Sequence, residues 1–309
     1  MRVEVAEIGG GPVGAIENGK EVWQQVDEHQ RPVADGRRGR DRDGGKIQVT
    51  PRPNKTAVSL MAKEWPPSAI RRGSQSLAQK FPICFTGPEG GNMTTLQHIE
   101  LHCPICDSEF RSQAVVSTNS FGGKRTDFHE RAAGTQPLPF LVHMCSRCGY
   151  SGSERDFSDE ADVSPMLKEH VWNELAPTIA TSVLTGSEKY EAAAKVAEWQ
   201  SMEPRHVADL LLRAAWCCVD EGDSEAERYF RRHAAWMFTR ALETYDGVAR
   251  DERAVLTYLV GELWRRIGDM SMAKSWFNKV AEEIIDVQSQ QWILDAARQQ
   301  RDCPREWFG

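Results

Sequence analysis

The sequence predicts an α+β protein that is mostly α, with a small β-rich module built around four cysteines followed by an array of helical hairpins. A disordered extension precedes both parts. Three observations predict this order. Residues 1–92 hold 13 of the 24 glycines and 8 of the 15 prolines. Two Cys-x-x-Cys pairs lie within residues 93–158, and apolar residues recur with a helical period throughout residues 159–309.

Residues 1–92 are expected to form the disordered extension. Stretches such as GGGPVGAIENG have neither a helical nor a strand period, so they bury too little apolar surface to offset the entropy of ordering. Met93 opens MTTLQHIELHCPIC, a strand-like run that leads into the first cysteine pair. A further hypothesis is therefore that natural translation starts at Met93 and omits the extension. Mass spectrometry of the natural protein tests it.

The bulk composition indicates a soluble globular protein. Hydrophobic residues make up 40% of the chain and charged residues 27%. The longest apolar runs, such as FLVHMC, are far shorter than the ~20 residues of a membrane span, and the N-terminus lacks the apolar core of a secretory signal. We therefore expect a cytoplasmic protein with no membrane partner. In that compartment, paired cysteines bind metal more often than they form disulfides.

Four cysteines define the β-rich module of residues 93–158. Cys103 and Cys106 form the first pair, and Cys145 and Cys148 follow after an interval of 38 residues. A two-residue gap lets one tight turn deliver two thiolates, and zinc prefers four tetrahedral ligands with Zn–S distances near ~2.3 Å. Apolar–polar alternation in AVVST and PFLVHMC predicts short strands beside these turns. The pattern predicts a structural zinc ion in a zinc-ribbon-like module.

The residue after each second cysteine is expected to take a left-handed backbone conformation. Gly149 takes this conformation freely, because it has no Cβ. Asp107 holds the equivalent place in the first turn, and aspartate tolerates the conformation better than most residues. Both turns are therefore compatible with metal binding.

Other uses of the cysteines are open from the residues alone. A thioredoxin-type redox pair lies at a helix start between alternating strands and helices, and neither pair here has that context. Structural disulfides would require an oxidising compartment. A catalytic zinc keeps one position open for water, whereas four thiolates fill the site. Nearby polar residues, expected to be ordinary polar groups and not ligands, are His102, His143, Asp127 and His129.

Residues 159–309 are expected to form consecutive helices. Ser164-Pro165 is typical of an N-cap and first turn, Ser187 is the expected cap of the next helix, and Pro204 starts a helix that stops near Gly222. Later helical stretches are SEAERYFRRHAAWMFTRALETY, ERAVLTYLVGELWRRIG, SMAKSWFNKVAEEII and QSQQWILDAARQQRD. Cys217 and Cys218 are adjacent in a helix and point about 100° apart, so we expect buried small hydrophobic residues and not a chelating pair.

The best helical hairpin lies in VLTYLVGELWRRIGDMSMAKSWFNKVAEEI. Gly261 before the turn at Gly268-Asp269 and Ala273 after it are small enough to let the two helices approach closely, with Phe277 filling the space around them. This arrangement is similar to a tetratricopeptide repeat, in which a small residue precedes the turn and alanine and an aromatic residue follow it. The upstream hairpin, LLLRAAWCCVDEGDSEAERYFRRHAAWMFTRALE, fits the pattern less well.

Arrays of this kind bind peptides or partner proteins on an extended face made by the first helix of each pair. On this chain, that face is expected to carry Tyr258, Glu262, Arg265 and Arg266. The tryptophans within helical stripes are expected in the core instead. They are Trp216, Trp236, Trp264 and Trp276.

The order of these parts resembles a bacterial family catalogued as domain of unknown function 2225. The segments that carry the resemblance are CPICDSEF, RTDFHERAAGTQPLPFLVHMCSRCGYSGSERDF and YLVGELWRRIGDMSMAKSWFNKV, over roughly residues 95–287. The resemblance implies a cysteine-knuckle region joined to tetratricopeptide-like helices, and it implies no reaction. The metal ligands that it implies are Cys103, Cys106, Cys145 and Cys148.

We expect the protein to be a non-enzymatic cytoplasmic adaptor or scaffold, with one structural Zn²⁺ and a helical platform for an unidentified protein or peptide. No small-molecule substrate is evident. A zinc-ribbon regulator associated with nucleic acid is the alternative, but residues 93–158 carry only 6 basic against 7 acidic residues. A thiol or redox enzyme is the second alternative, although the chain lacks phosphate-loop, Gly-x-Ser-x-Gly and His-Glu-x-x-His motifs.

Overall fold

The structure is a computed structural model of the 309-residue chain. The residues that it describes are 14–17, 20–23, 94–158, 161, 163–179, 184–244 and 246–308. The residues on which a disordered extension and a start at Met93 were expected lie outside the described residues. Two short strands within residues 1–92 are the exception. These strands, β1 (Gly14–Glu17) and β2 (Lys20–Trp23), pair antiparallel. In the sequence they flank Asn-Gly, a dipeptide favoured in hairpin turns that the expectation of an unstructured extension overlooked.

The four-cysteine region consists of two β-hairpins. β3 (Thr95–His102) pairs antiparallel with β4 (Glu109–Ser117). A shorter pair is formed by β5 (His143–Met144) and β6 (Ser151–Gly152). Residues 118–142 connect the hairpins, and the part that precedes the 3-10 turn at Leu138–Phe140 is called the 118–137 loop below.

Of the two strands expected beside the cysteines, one forms as expected and the other is shorter than expected. The one in AVVST is part of β4, as expected. Of PFLVHMC only β5 is a strand, because Leu138–Phe140 forms a 3-10 turn. Pro137 precedes this turn and Pro139 lies within it, and neither has a backbone N–H group to donate to a strand ladder. The N–H groups of Phe140 and Leu141 donate within the turn instead.

Helices make up most of the remaining described chain. Their bounds are α1 (Pro165–His170), α2 (Gly186–Trp199), α3 (Pro204–Glu221), α4 (Ser224–Glu243), α5 (Arg253–Arg266), α6 (Met270–Lys279) and α7 (Val287–Asp302). α1 continues into a π-helical turn and a 3-10 turn. The mostly α, α+β fold class is thereby confirmed. No helix in the described ranges combines the length and the apolar character needed to cross a membrane.

The expected helix starts are confirmed with one exception. The Ser164 hydroxyl caps α1, and Pro204 begins α3. α2 starts earlier than expected, because Thr185 and not Ser187 is its cap. The Thr185 backbone N–H donates to the Glu188 carboxylate at 2.8 Å, and the Glu188 N–H donates to the Thr185 hydroxyl at 3.3 Å. This reciprocal capping box satisfies two of the free N–H groups at the helix start.

The hairpin of α5 and α6 packs as its small residues predict. A Cβ at Gly261 would lie 2.8 Å from the Phe277 ring, so only glycine permits this approach without a shift of the ring. Ala273 is fully buried in the same hydrophobic core. Cys217 and Cys218 are also buried there, which confirms their expected role as small core residues.

The tryptophans divide between core and surface. Trp264 and Trp276 are buried as expected, and Trp216 is half-buried. The expectation for Trp236 is wrong, because its side chain remains 38% exposed and lies 5.0 Å from the Arg240 guanidinium. Its position on α4 is displaced from the buried stripe that faces the core.

A second hydrophobic core joins the cysteine region to the first helices. Leu101 and Phe157 share it with Leu167 of α1 and Val196 of α2. The expected boundary between residues 158 and 159 therefore runs through a shared core. Both parts belong to one compact unit, Glu64–Gly309.

Candidate metal centre

The four cysteines of the two pairs come together in space. All of their Sγ atoms lie within 4.8 Å of one another. The Sγ atoms of Cys103 and Cys148 are 3.6 Å apart, as are those of Cys106 and Cys145. A tetrahedral site with Zn–S bonds of ~2.3 Å has S–S edges of about 3.8 Å, whereas a disulfide requires about 2.05 Å. The sulfurs are thus spaced for a four-coordinate ion, and the cysteines are free thiols.

The first pair occupies the turn between β3 and β4. The N–H of Asp107 donates to the carbonyl of Cys103 at 2.9 Å, and the N–H of Cys103 donates to the carbonyl of Ser108 at 3.0 Å. Asp107 has a φ of 59°, which confirms the left-handed conformation expected for it. Its carboxylate lies 2.9 Å from Nε2 of His102, and this contact supports the turn from outside.

The second pair repeats this arrangement between β5 and β6. The N–H of Gly149 donates to the carbonyl of Cys145, and the N–H of Cys145 donates to the carbonyl of Tyr150, both at 2.9 Å. Gly149 has a φ of 78°. A Cβ at Gly149 would also lie 3.0 Å from the side chains of Leu175 and Ile179. Glycine is therefore required here for both backbone conformation and packing.

Hydrogen bonds among the sulfurs separate their pKa values. The hydrogen bond between Cys103 and Cys145 lowers the pKa of Cys145 and raises the pKa of Cys103 to about 12. Hydrogen bonds to Cys103 and Cys145, together with burial, raise the pKa of Cys148. Burial and hydrogen bonding thus favour the thiolate of Cys145 and disfavour those of Cys103 and Cys148. A bound cation would favour all four thiolates.

The donor set fits a zinc ion. Cys103, Cys145 and Cys148 are buried, and sulfur ligands favour zinc over magnesium or calcium. Ser108 adds a hydroxyl 2.9 Å from Sγ of Cys106 and 3.5 Å from Sγ of Cys145. A donor at these distances disperses thiolate charge from outside the ligand shell. Sequence reasoning missed Ser108, whose only signal is its place two residues after the second cysteine.

The other polar residues near the cysteines have different partners. Nδ1 of His143 lies 2.8 Å from the Ser112 hydroxyl. Asp127 and His129 are buried in the 118–137 loop. Among the described residues, only the four cysteines form a group of His, Cys, Asp and Glu side chains with the geometry to hold a metal ion.

Residues 96–303 match the model of one protein family, described as "Uncharacterized protein conserved in bacteria (DUF2225)". The chain belongs to this family. The match includes the cysteine turns and the seven α-helices of the described residues, and its description names no reaction. No curated protein and no solved structure matches the chain.

The α5 residues expected to bind a partner are covered in the DUF2225 protein by the 118–137 loop and by residues 304–308. They are Tyr258, Glu262, Arg265 and Arg266. Tyr258 and Glu262 are fully buried, and the side chains of Arg265 and Arg266 are only 10% and 4% exposed. The Tyr258 hydroxyl donates to the carbonyl of Thr126 in the loop at 2.9 Å. The expectation that these four residues lie on an open face is therefore wrong.

Hydrogen bonds to the Glu262 carboxylate make this burial possible. The carboxylate accepts hydrogen bonds from Nε of Arg265 at 2.8 Å, from Nε of Arg266 at 2.7 Å and from the Thr126 hydroxyl at 2.6 Å. A buried carboxylate is tolerated when its oxygens are paired in this way. Thr126 precedes Glu262 by 136 residues. No local pattern on α5 indicates that such a distant loop covers it.

Asp127 ties the same loop to α3 and α4. Its Oδ2 accepts from Nη1 of Arg231 at 2.7 Å and from the Trp216 indole at 3.1 Å, and both charged side chains are fully buried. Burial acts to raise the pKa of Asp127, but Arg231 and Arg266 outweigh it and hold the pKa well below its usual range. The loop is therefore anchored by an ionised carboxylate.

Proposed function

We propose that the DUF2225 protein is a non-enzymatic cytoplasmic adaptor or scaffold. In this proposal one structural zinc ion, held by Cys103, Cys106, Cys145 and Cys148, stabilises a tetratricopeptide-like helical platform that binds a partner protein. The observation that carries the proposal is the closed cluster of four sulfurs within a hydrophobic core. Four thiolates complete a tetrahedral shell, so a zinc ion held there has no open position for water or substrate.

The small size of the surrounding strands supports a structural role for the metal. β5 and β6 have two residues each, too few to form a stable hairpin alone. Structural zinc sites contribute on the order of 10 kcal/mol to the folding of small modules. An ion bound by both turns would also fix both hairpins from which the 118–137 loop emerges. The metal would thereby help to hold that loop against the helices.

Exposed tryptophans on the helical part support a role in partner binding. Trp172, Trp236 and Trp292 remain 43%, 38% and 51% exposed. Tryptophan is enriched in protein–protein interfaces, where its large ring is buried by the partner. The helices therefore present apolar surface that remains exposed in the part of the chain that the structure describes.

Metal content and thiol reactivity test the structural part of the proposal. We expect about one zinc per chain in freshly purified protein, and slow reaction of the metal-loaded native protein with a thiol reagent such as DTNB. The Cys84→Ser/Cys303→Ser chain is the measurement background, because Cys303 is exposed outside the cluster and Cys84 belongs to neither Cys-x-x-Cys pair, so both would react independently of the cluster. Metal-free protein contradicts the proposal. Rapid reaction of the metal-loaded cluster would support the redox alternative.

Variant-dependent capture tests the adaptor part. The full chain and its Trp236→Ala variant are used to retain proteins from a bacterial extract, with zinc content and melting temperature measured for both. We expect a defined partner that the wild-type chain retains and the variant retains less, because Trp236 is exposed and its removal leaves the core unchanged. Retention of nucleic acid that declines with salt would favour the zinc-ribbon alternative.

A further inference from the structure

Residues 304–308 lie across the 118–137 loop and pair with it through an isolated antiparallel bridge. The N–H of Thr126 donates to the carbonyl of Glu306 at 3.1 Å, and the N–H of Phe308 donates to the carbonyl of Lys124 at 3.0 Å. Arg125 and Trp307 form an antiparallel bridge between these hydrogen bonds. The segment is thus seated in the way that a peptide ligand adds a strand to a binding site.

The Glu306 carboxylate is the polar anchor of this segment. It accepts from Nη1 of Arg266 at 2.6 Å and from Nη2 of Arg265 at 3.0 Å, and it lies 3.6 Å from Nη2 of Arg125. Hydrogen bonds between guanidinium and carboxylate are among the stronger ones in proteins. The site beneath the segment therefore selects a carboxylate.

The charges under the segment require that carboxylate. The guanidinium groups of this cluster belong to Arg125, Arg231, Arg265 and Arg266. The carboxylates that pair with them, apart from Glu306, belong to Asp127, Glu227 and Glu262. Among the described residues one positive charge of this cluster is left over, and Glu306 compensates it. A buried or half-buried charge without a partner is costly, so an occupant of this site must supply an anion.

The two residues that follow Glu306, Trp307 and Phe308, each make a contact through an aromatic ring. The Phe308 ring stacks on Phe128 with centroids 5.8 Å apart and an angle of 15°, and its centroid is 6.5 Å from that of Tyr258. The Arg125 guanidinium lies 5.8 Å from the centroid of the Trp307 ring. The site thus offers an aromatic surface for one ring and a cation for the other.

The side chains of residues 304–308 are more exposed than those of the loop beneath them. The Glu306 side chain is 54% exposed and Trp307 is 42% exposed, whereas Asp127 is fully buried. Removing residues 304–308 would uncover the arginines, and of the hydrophobic core it would expose only the edge that Phe308 covers beside Phe128 and Tyr258. A segment of this kind can be exchanged while the rest of the fold persists.

We propose that residues 304–308 occupy, within the same chain, a binding site for an extended partner peptide of the same chemistry: a carboxylate side chain followed by two aromatic residues. This inference rests on the proposed adaptor function and names the class of ligand. A tethered segment competes at a high effective concentration, about millimolar for short flexible tethers. Residues 304–308 therefore keep the site closed until a tighter or more abundant ligand displaces them.

Fluorescence anisotropy with full-length chains tests the proposal. The probe is a fluorescein-labelled peptide of residues 301–309 carrying Cys303→Ser. We expect the Glu306→Gln/Phe308→Ala chain to bind this probe at least about tenfold more tightly than the wild-type chain, because its own segment competes less. The Arg305→Ala chain is the matched control and should bind like the wild type, since Arg305 contacts its neighbours through its main chain. A probe that also carries Glu306→Gln should bind about tenfold more weakly.

Equal binding of both probes, or no binding by the doubly substituted chain, would overturn the inference. Amide exchange of the wild-type chain gives an independent measurement, should that variant fold poorly. We expect the Phe308 amide to exchange at least about 100-fold faster than amides in the middle of α3, because the segment opens locally. Exchange of Phe308 only with global unfolding would overturn the inference.

A dimer that the probe dissolves would instead assign the site to the segment of a second copy. If the probe does not bind while the Trp236-dependent partner is still captured, the adaptor function stands and this inference fails.

Discussion

Single residues in the two cysteine turns determine how the sulfurs converge. The left-handed backbone at Asp107 and at Gly149 reverses the chain directly after the second cysteine of each pair. A β-branched residue in either place would be strained, since a Cβ clashes in that conformation. The backbone of each turn thus aims its two sulfurs toward the other pair. A bound ion would neutralise the charge of the sulfurs and hold the two turns together.

Replacing one cysteine sulfur should lower the affinity for zinc, because it removes one ligand and one negative charge. Cys106 is the least buried of the four cysteines, so Cys106→Ser changes packing least. We expect zinc affinity to decline by about 100-fold, or about 3 kcal/mol, roughly a quarter of the 10–16 kcal/mol of a structural site. Competition with a chromogenic chelator measures this loss. Cys303→Ser is the control and should keep full affinity; an unchanged affinity of Cys106→Ser would contradict a four-cysteine site.

His129 should make stability depend on pH. Its ring stacks on Trp216 with centroids 4.9 Å apart, and neither ring nitrogen has a hydrogen-bond partner among the described residues. Burial lowers the pKa of His129 from 6.5 to about 4, and Arg131 and Arg125 act in the same direction against Asp127. Between these two pKa values the unfolded chain binds a proton that the folded chain does not. Stability should therefore decline as the pH is lowered through this window.

The His129→Phe chain measures that contribution. Phenylalanine keeps the stacking and loses no hydrogen bond, so the variant should be at least as stable as the wild type at pH 7.5. Lowering the pH to 5.5 should cost the wild type about 1.3 kcal/mol more than the variant in free energy of unfolding, from the two pKa values. Urea unfolding of zinc-loaded protein at both pH values gives the difference. Parallel losses in the two chains would show that His129 does not titrate as inferred.

At the scale of elements, helices were easier to predict than strands. Helix caps and prolines act within one turn, so Ser164 and Pro204 identify their helices from local sequence alone. The hairpins are short, and the strand expected in PFLVHMC was shortened by two prolines within the same ten residues. The position of an element against its neighbours depends on residues that lie even farther apart in the sequence. Trp236 has helical spacing like the buried tryptophans, yet the core lies on a different side of α4.

The contact between α5 and α6 provides a test at this scale. Gly261→Ala places a methyl group where the Phe277 ring lies 2.8 Å away, and overpacking of this kind costs about 1–3 kcal/mol. Alanine returns up to about 1 kcal/mol of helix propensity, so we expect a net loss of about 1–2 kcal/mol in free energy of unfolding. Thermal or urea unfolding measures it.

The double variant Gly261→Ala/Phe277→Leu is the matched control for that contact. Leucine removes the ring that the new methyl group meets, so the double variant should be more stable than the sum of the single effects predicts. Additive effects within about 0.3 kcal/mol would mean that Gly261 and Phe277 are not coupled, contrary to the close approach.

For the whole molecule, the ligand set of the metal centre could be predicted from spacing, whereas the contacts between distant segments could not. The cysteine pairs carry their signal within four residues each. The pairing of Thr126 with Glu262 and of Asp127 with Arg231 joins residues 136 and 104 positions apart, and each residue alone looks like an ordinary solvated polar group. The same limit explains why Tyr258 was expected on an open face and is buried.

Removal of the metal should reveal how far its influence extends through the molecule. The cysteine turns share a hydrophobic core with α1 and α2, where Met144 and Tyr150 meet Leu167 and Val196. α3 to α7 belong to a separate and larger core. We therefore expect chelation to raise amide exchange in residues 94–158 and in α1 and α2 by at least about 100-fold, because zinc contributes folding free energy to that core. The middle of α3 and of α5 should keep most of its protection.

Hydrogen exchange with mass spectrometry, with and without a zinc chelator, resolves these regions by peptide. The Cys106→Ser chain without chelator should reproduce the pattern, which separates loss of the metal from any direct effect of the chelator. The Cys303→Ser chain should exchange like the wild type until the chelator is added. Protection of β3 to β6 that survives metal removal would mean that the shared core, and not the ion, holds the cysteine turns together. Loss of protection throughout α3 to α7 would instead mean that the two cores fold as one cooperative unit.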